Sequence, residues 1–314
     1  MSNRRAYPRN QSRLYKIKSP AQLADVLNIK KHQLESLAKY SNENYHRWTD
    51  EASGRAIQRP KPMLEKIHIR AAQLLGRIET PEFLHSAVKG RSYISNAEQH
   101  VFGQPTVKAD IRRFYPSTRA PAVFHFFQDR MHCVGDVSGI LAQLLTVDGH
   151  LATGSSVSPI LSFFAYEDMF DEIENLALRY ECGMTCYVDD MVFTGPGARR
   201  QLIYDLIKVV RRYQLLVHKT KIFRAQQPKV VTGIAMTQRG KRLPNRRQHA
   251  ISQRFKELKS ARTDLERLRI MEKLIGQLFE AAQVDSTWYP RALQMRDERR
   301  ALQRSISQRS QIIN

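Results

Sequence analysis

The sequence predicts an α+β fold, in which an antiparallel sheet packs on helices and a helical region follows it. Two short, β-prone apolar runs, 184–187 and 191–194, flank a pair of acidic residues and predict a β-hairpin. Between residues 64 and 78, apolar side chains recur at helical spacing, which predicts an amphipathic helix. From about residue 245 onward the apolar positions again follow a helical period. Strand and helix signals mixed in this way are typical of an α+β protein.

The first part of the chain, residues 1–50, is polar and basic, and one helical stretch is expected near 21–40. Residues 54–60 predict a short strand or turn that ends at a proline. The amphipathic helix follows, and Thr80-Pro81 is expected to stop or restart it because the residue before a proline avoids helical geometry.

The central part of the chain alternates strands, helices and one turn-rich loop. Residues 107–111 predict a strand that ends in charge, and residues 120–131 predict a helix. Residues 151–159 are rich in Gly, Ser and Pro, and a long helix is expected from about 160 to 180. After the hairpin the sequence predicts one helix and two strands, over 198–214, 215–223 and 229–236.

Composition and charge indicate a polyanionic partner. The 314 residues include 51 Lys and Arg against 30 Asp and Glu, a formal net charge of +21. Residues 238–314 hold 18 of these basic and 8 of these acidic residues, and this excess favours a nucleic-acid surface over a merely solvated one. An anionic membrane is the second choice.

Membrane insertion and secretion are not expected. No apolar run reaches the roughly 18–20 residues of a spanning helix, and no apolar segment follows the basic start of the sequence. The three cysteines, Cys133, Cys182 and Cys186, form no Cys-x-x-Cys pair, so neither structural zinc nor a disulfide is predicted. The expectation is a reduced, cytoplasmic protein.

Asp189 and Asp190 stand side by side at the tip of the predicted hairpin. Neighbouring carboxylates raise each other's pKa unless a cation neutralises them. Magnesium prefers oxygen ligands, and two such ions ~3.5–4 Å apart can activate a hydroxyl and stabilise a leaving oxygen in phosphoryl transfer. If strand 107–111 neighbours the hairpin, Asp110 brings a third carboxylate to the same edge. The alternative for any single Asp-Asp pair is a solvated turn.

Other residues near these acids suit a nucleotide. Tyr115 lies five residues past the third carboxylate, where its ring could exclude a sugar 2′-hydroxyl, although it could also be an ordinary aromatic at a strand end. The backbone N–H groups of turn 111–115 can hold phosphate. Gly154 lets its loop lie close to a base or nucleotide. Lys219 or Lys221 suits a contact to triphosphate, and a basic strand edge explains either lysine equally well.

In their order, these segments resemble the palm of reverse transcriptases over roughly residues 55–235. Five segments carry the resemblance: the fingers segment Arg55-Ala56-Ile57-Gln58-Arg59-Pro60, motif A at Asp110 with Phe114-Tyr115-Pro116-Ser117, motif B over Leu151 to Ser162, motif C at Tyr187-Val188-Asp189-Asp190, and motif D at Lys219-Thr220.

Two shorter segments narrow the resemblance to bacterial retron reverse transcriptases. Asn96-Ala97-Glu98-Gln99-His100 matches an Asn-Ala-x-x-His signature that precedes motif A. Val231-Thr232-Gly233 matches a Val-Thr-Gly signature that follows motif D. Each segment is short, but both stand in the right order around a full set of palm motifs.

Motif B departs from the family pattern Gln-Gly-x-Pro-x-Ser-Pro. Thr153 replaces the glutamine and Ser156 replaces the first proline, while the glycine and the final Ser-Pro remain. In the family, this glutamine helps to position the template or the nucleotide. With threonine in its place, the sequence does not predict how this chain positions its substrate there. Motif C has Val188 where many retron enzymes have alanine, and motif D is compressed.

The resemblance implies a right-hand polymerase fold with fingers, a palm built on the antiparallel sheet, and a helical thumb. The implied parts are an N-terminal basic helical extension over residues 1–50 and the fingers over 51–106. A palm with interleaved fingers elements is implied over 107–236, and a basic, RNA-binding thumb over 237–314.

The resemblance also implies roles for single residues. Asp110, Asp189 and Asp190 are implied as catalytic and, with Ile111, as the site of two Mg²⁺ ions. Nucleotide contacts are implied for Arg55, Arg113, Phe114, Tyr115, Gly154 and Lys219. RNA contacts are implied for Asn96, His100, Val231, Thr232, Gly233, Arg246, Arg247 and Arg254. For Asn96 and His100 the alternative is a capping amide and a packed imidazole.

An enzyme of this type extends DNA on an RNA template from dNTPs. The family starts from the 2′-hydroxyl of a guanosine in its own folded non-coding RNA, and the product is a branched RNA–DNA molecule, msDNA. These enzymes act in bacterial anti-phage defence with an effector protein encoded nearby. The expected partners are therefore the cognate RNA and its DNA product, dNTPs and a separate effector, without a membrane.

Three alternatives remain at this stage. A reverse transcriptase of the group II intron or diversity-generating type would use a 3′-hydroxyl primer. A non-catalytic, RNA-binding scaffold would keep the palm fold, although the three intact acids argue against it. An RNA-dependent RNA polymerase shares the palm, and Tyr115 speaks against it. The sequence identifies neither the RNA and its priming nucleotide, nor the effector, nor the oligomeric state.

Overall fold

The computed structural model describes residues 6–312, which form two compact units. The first unit comprises the described residues up to Gln99 together with Gln104–Arg224. The second unit comprises His100–Gly103 and the described residues from Ala225 onward. The chain thus enters its second unit before residue 236, where the sequence suggested the end of the palm. The functional names of these parts stay predictions.

Short strands and helices alternate in the first unit. Its strands are β1 (Tyr45–Asp50), β2 (Arg55–Pro60), β3 (Thr106–Ile111), β4 (Thr146–Val147), β5 (His150–Leu151), β6 (Gly183–Tyr187), β7 (Asp190–Thr194) and β8 (Val217–Phe223). Its α-helices are α1 (Pro20–Leu27), α2 (Lys31–Lys39), α3 (Pro62–Leu75), α4 (Tyr93–Glu98), α5 (Phe114–Ser117), α6 (Ala120–His125), α7 (Gly135–Leu145), α8 (Ser158–Ala165), α9 (Glu167–Arg179) and α10 (Arg200–Arg212).

A four-stranded antiparallel sheet in the order β6-β7-β3-β8 lies at the centre of this unit. The predicted hairpin is confirmed as β6 and β7, and its partner strand β3 is the predicted strand 107–111. Val107, Ala109 and Ile111 alternate along β3 and are buried. This burial fixes the register, because a one-residue slip would turn apolar side chains to the other face.

Several helices end earlier than their apolar pattern predicts. The helix expected over 160–180 is two helices, α8 and α9, which meet at Tyr166 in a non-helical conformation. The Tyr166 ring lies 5.9 Å from that of Phe114, and its hydroxyl donates to the Ser117 carbonyl at 3.3 Å. The stretch 21–40 likewise splits where Asn28 takes φ +58. Tertiary packing and a left-handed residue set these breaks, and neither leaves a periodic signal.

One further prediction needed correction, and one strand was not predicted. The helix expected over 120–131 is α-helical to His125 and continues as a π-helical turn, Phe126–Arg130. Strand β1, which pairs with β2 in a two-stranded ribbon, was not predicted. Its burial pattern is almost entirely exposed, so the strand lacks the alternation by which half-buried strands are recognised.

The second unit joins a small sheet to three long helices. Its elements are β9 (Lys229–Val231), β10 (Ile234–Thr237), β11 (Gly240–Arg242), α11 (Asn245–Ser260), α12 (Asp264–Val284) and α13 (Tyr289–Ile312). The predicted single strand 229–236 is a hairpin, because Thr232 and Gly233 take φ +42 and +80 and reverse the chain. In the part of the chain that the structure describes, no helix combines the length and apolar character needed to span a membrane.

Candidate active site

A cleft of about 750 Å³ in the first unit gathers most of the residues predicted to be catalytic or to bind the metal or the nucleotide. Its walls come from the start of β2, the ends of β3 and β6, the α5 turn, the motif B loop and β8. Seven predicted residues line it: Arg55, Asp110, Arg113, Phe114, Tyr115, Asp189 and Lys219. Segments far apart in sequence therefore converge on one concave surface, as expected for a binding site.

The three carboxylates meet at the edge of the central sheet. Asp110 lies opposite Asp190 across β3 and β7. The backbone N–H of Ile111 donates to the carbonyl oxygen of Asp189 at 2.9 Å, which ties the end of β3 to the hairpin tip. The predicted convergence of these acids is confirmed.

Val188 gives the hairpin tip its shape. It takes φ +62, a left-handed conformation that costs a β-branched residue of the order of 1–3 kcal/mol. Its N–H donates to the Ser86 hydroxyl at 2.9 Å, and its carbonyl accepts from the Cys186 thiol at 3.4 Å. These contacts hold the strained residue, so Asp189 is presented at a fixed position.

Burial and mutual repulsion raise the pKa values of Asp189 and Asp190. Burial and then the nearby charge of Asp110 raise the pKa of Asp189 to about 6, and Arg55 opposes the shift. Burial also raises the pKa of Asp190, although Lys108, whose Nζ lies 3.1 Å from Oδ2, works against it. For Asp189 and Asp190, burial and the neighbouring carboxylates therefore raise the pKa more than the cations Arg55 and Lys108 lower it.

The donor set fits a divalent cation. Within residues 6–312, no three His, Cys, Asp or Glu side chains form a ready-made metal cage. Asp110 Oδ1 is buried, and His218 Nδ1 lies 2.9 Å from it without the geometry of a hydrogen bond. An unsatisfied buried oxygen beside two carboxylates of raised pKa is the arrangement that a hard cation would relieve.

The α5 turn presents Tyr115 to the cleft. Arg113 takes φ +50 and begins this short helix, and the buried ring of Phe114 anchors it. The Tyr115 ring lies 6.5 Å from that of Phe114 in a stacked arrangement. Burial, followed by the charge of Asp189, raises the pKa of the Tyr115 hydroxyl. The packed ring of Tyr115 therefore lines the cleft beside the carboxylates.

A β-bulge directs Lys219 toward the cleft. The register between β3 and β8 shifts so that Lys108 pairs with Lys221 and Asp110 with His218. Lys219 within this shift takes φ +51 and lines the cleft, whereas Lys221 is not among the lining residues. Bulges re-aim side chains in this way next to active sites. The structure therefore favours Lys219 over Lys221 at the cleft.

The motif B loop binds strand β2 directly. The Gly154 N–H donates to the Gln58 carbonyl at 2.9 Å, and a Cβ at Gly154 would lie 2.8 Å from that oxygen. A side chain there would clash, so glycine is required for this approach. Gly154 is not among the residues that line the cleft, and the predicted close approach is to β2. The neighbouring Thr153 lines the cleft instead.

The buried His68 forms a hydrogen bond with Ser155 of the motif B loop. His68 Nδ1 lies 2.5 Å from the Ser155 hydroxyl, and Nε2 lies 2.8 Å from the Leu144 carbonyl. Nε2 must carry the proton to donate to that carbonyl, so Nδ1 accepts from Ser155. Burial lowers the pKa of His68 to about 4, which keeps the ring neutral. The Ser155 oxygen also accepts the Val157 N–H at 3.2 Å.

Asn96 and His100 lie away from solvent. Asn96 is 0% and His100 1% exposed. Side chains this buried cannot contact RNA directly in this conformation. Their burial favours the alternative of a packed imidazole for His100, whereas Asn96 lies inside α4 and is not the capping amide of that alternative.

The Val-Thr-Gly signature forms the β9–β10 turn. Val231 is buried, and the two residues after it reverse the chain. Arg247 donates to the Gly233 carbonyl at 3.2 Å and pairs with Glu280 at 2.5 Å, so its predicted RNA contact competes with internal contacts. Arg246 is exposed and Arg254 is half-buried, so both retain surface for a partner.

The sequence-based prediction missed four residues at or beneath the cleft. They are Gln58, His68, Lys108 and His218. Lys108 could have been found, because it shares a strand face with Asp110 two residues later. His68 could not, since a histidine on an apolar helix face is ordinarily part of the core.

The chain resembles a known protein in sequence. No protein-family model matches it. The retron Se72 reverse transcriptase of Salmonella heidelberg (strain 579083-10) is 25% identical over 213 residues, which cover 63% of this chain and 55% of that protein. The chain therefore spans about half of that relative's length. This similarity agrees with the retron-type resemblance of the motifs and with a right-hand polymerase fold of the α+β class.

Two solved structures are distantly similar to the chain. A foamy viral protease–reverse transcriptase in complex with double-stranded DNA is 13% identical, with a TM-score of 0.44, over 92% of this chain and 45% of that one. A telomerase from Candida albicans, in complex with a fragment of telomeric RNA, is 12% identical, with a TM-score of 0.45, over 82% and 59%.

Proposed function

We propose that the chain is an RNA-directed DNA polymerase of the retron type. One observation carries the proposal: Asp110, Asp189 and Asp190 converge at the edge of the central sheet, and Asp110 and Asp189 line a cleft together with Tyr115 and Lys219. The sequence similarity to a retron reverse transcriptase supports the type of enzyme. The fingers, palm and thumb assignments follow from the same similarity.

The three aspartates and the Ile111 backbone would hold two Mg²⁺ ions. When bound, magnesium activates the attacking hydroxyl and stabilises the leaving oxygen in phosphoryl transfer. Lys108 and His218 contact the carboxylates at 3.1 and 2.9 Å and would be displaced from them as the ions enter. The protein's own contribution is to hold the acids at a rigid sheet edge.

The cleft would hold the incoming nucleotide by charge and shape. Arg55, Arg113 and Lys219 line it and supply positive charge for a triphosphate. Tyr115 would stand beside the sugar, where its ring leaves no room for a 2′-hydroxyl. The cleft would therefore select dNTPs over ribonucleotides.

The retron assignment implies further properties. The enzyme would reverse transcribe its cognate structured non-coding RNA from a guanosine 2′-hydroxyl and yield msDNA. The basic second unit would bind that RNA through groups such as Arg246 and Arg254, since duplex RNA is read mainly through phosphates, 2′-hydroxyls and shape. A role in anti-phage defence, with a separately encoded effector, completes the proposal.

Removal of the carboxylates tests the enzyme class. The double variant Asp189→Asn, Asp190→Asn should abolish DNA synthesis on an RNA template while RNA binding persists, because the amides keep the size and lose the charge. Primer extension with labelled dNTPs and filter binding of RNA measure the two properties. Synthesis that survives in the double variant would show that the acids are not the metal site.

The linkage in the product tests the retron type. DNA extracted from cells that express the chain with its adjacent genomic RNA should stay attached to RNA until a 2′–5′ debranching enzyme is added. An unbranched product would favour the group II intron or diversity-generating type, which use a 3′-hydroxyl.

A further inference from the structure

A second cavity lies within the helical unit, apart from the carboxylate cleft. It has a volume of about 580 Å³ and lies among α11, α12 and α13. Ile251 and Met295 at its base are buried, whereas Phe255 and Trp288 are only partly buried. The cavity therefore has an apolar floor and two aromatic side chains that remain accessible.

The rim of this cavity is positively charged. Lys259, Arg267 and Arg291 line it, against one acidic residue, Glu298. Within residues 6–312, none of the three basic side chains forms an ion pair with a carboxylate. The Arg291 guanidinium instead lies 5.5 Å from the centre of the Phe255 ring. These cations thus remain available to an anionic partner.

We propose that this cavity binds a single unstacked nucleotide of an RNA, with the base against Phe255 and Trp288 and the phosphates against the basic rim. The inference rests on the proposed function, because it takes the helical unit as the part of the enzyme that binds RNA. It adds a base-binding site to a surface that otherwise offers only charge.

Physical chemistry favours this occupant over a peptide. Proteins recognise single-stranded loops and bulges by stacking exposed bases on aromatic side chains and arginine planes. The cavity combines aromatic side chains, a guanidinium near one of the rings and a basic rim within the 300–1,000 Å³ typical of small-molecule sites. An apolar peptide would leave the three cations without partners, whereas a nucleotide uses both the rings and the charges.

Trp288 itself can report the binding. The chain has two tryptophans, so the variant Trp48→Phe leaves Trp288 as the sole indole fluorophore. Titration of this full-length variant with an oligouridylate should quench the fluorescence. An abasic ribose–phosphate oligomer of equal length should bind without comparable quenching, because it carries the charge but no base.

A matched pair of arginine variants separates stacking from general charge. In the Trp48→Phe background, Arg291→Gln should weaken the oligouridylate affinity about three- to tenfold. Arg269→Gln removes the same charge from an exposed position on α12 outside the cavity, and should change it by less than about twofold. Equal losses in both variants, or equal quenching by the abasic oligomer, would overturn the base site. Quenching by an apolar peptide, with none by the oligouridylate, would also overturn it.

Failure of this inference is distinguishable from failure of the proposed function. The Asp189→Asn, Asp190→Asn change in the same background should remove DNA synthesis and leave the quenching intact. Absent quenching with intact DNA synthesis would overturn the cavity alone. Quenching in a protein that never synthesises DNA would support the cavity and overturn the polymerase.

Discussion

Thr153 and Gln58 bind each other at the wall of the cleft. The Gln58 N–H donates to Thr153 Oγ1 at 3.2 Å, and the Thr153 N–H donates to Gln58 Oε1 at 3.4 Å. The Thr153 hydroxyl also donates to the Ala56 carbonyl at 2.9 Å. Thr153, which stands where the family pattern has glutamine, therefore ties the motif B loop to β2. The Gln58 side chain places an amide group at the same wall of the cleft.

Loss of the Thr153 hydroxyl should loosen this wall. Thr153→Val keeps the shape and removes only the hydrogen bonds of the hydroxyl, to the Ala56 carbonyl and to Gln58, so we expect a stability loss of about 1 kcal/mol. The KM for dNTPs should rise more than kcat falls, because the carboxylates are untouched. Urea unfolding and steady-state primer extension measure both effects. Thr153→Ser, which keeps the hydroxyl, is the matched control, and a similar KM increase in Thr153→Ser would argue against this role.

The ring of Tyr115 should set sugar selectivity. Tyr115→Ala opens the cleft, and ribonucleotide incorporation relative to deoxynucleotide should rise about tenfold or more, equivalent to about 1.4 kcal/mol of discrimination. Competitive incorporation of ribonucleotides and dNTPs measures the ratio. Tyr115→Phe keeps the ring and should leave selectivity unchanged. Unchanged selectivity in Tyr115→Ala would remove the steric role.

The raised pKa of Asp189 predicts a pH-dependent stability cost in protein without magnesium. The folded-state pKa of about 6 lies above the usual value of 3.8, so the folded protein binds more protons between these pH values. Stability from this group therefore falls as pH rises from 3.8 to 6 and stays low above it. Asp189→Asn should raise the melting temperature in EDTA more at about pH 8 than at about pH 4.5.

Magnesium supplies the control for that prediction. Added ions should stabilise the wild-type protein at about pH 8 more than the Asp189→Asn variant, because the ions offset the repulsion that the variant has already lost. Scanning fluorimetry in EDTA and in excess Mg²⁺ gives the four melting temperatures. Equal responses of both proteins would contradict a magnesium site at Asp189.

The buried His68 predicts a stability effect of the opposite sign. Its folded-state pKa of about 4 lies below the usual 6.5, so the unfolded chain takes up a proton first as the pH falls. Stability from this group is lost between pH 6.5 and pH 4, by about 3 kcal/mol if the whole shift is realised. Urea unfolding across this range should show the slope in the wild-type protein.

A His68→Gln variant is the comparison for that slope. It should be less stable at about pH 7, because Ser155 and the Leu144 carbonyl lose their imidazole partner, and it should lose less of its stability on acidification. An Asp189→Asn background removes the opposing slope of that carboxylate from both proteins. Parallel pH profiles for the protein with the histidine and for the His68→Gln variant would show that this imidazole is not the titrating group.

The sequence by itself determined the central hairpin, its neighbour strand and the three carboxylates. Apolar alternation around Asp110 and around Asp189-Asp190 is a local pattern, and a buried sheet allows only one register for it. The order of motifs then indicated the type of enzyme. The amphipathic helix α3 was equally clear, because its apolar spacing is long and uninterrupted.

Only the tertiary structure decided how the cleft is lined and supported. The bulge that presents Lys219, the break at Tyr166 and the turn at Thr232-Gly233 depend on single backbone conformations, and periodicity does not report these. The contacts of His68 with Ser155 and of Gln58 with Thr153 join residues far apart in sequence. Such pairs exist only once the chain has packed, because each partner alone is a common residue with no pattern around it.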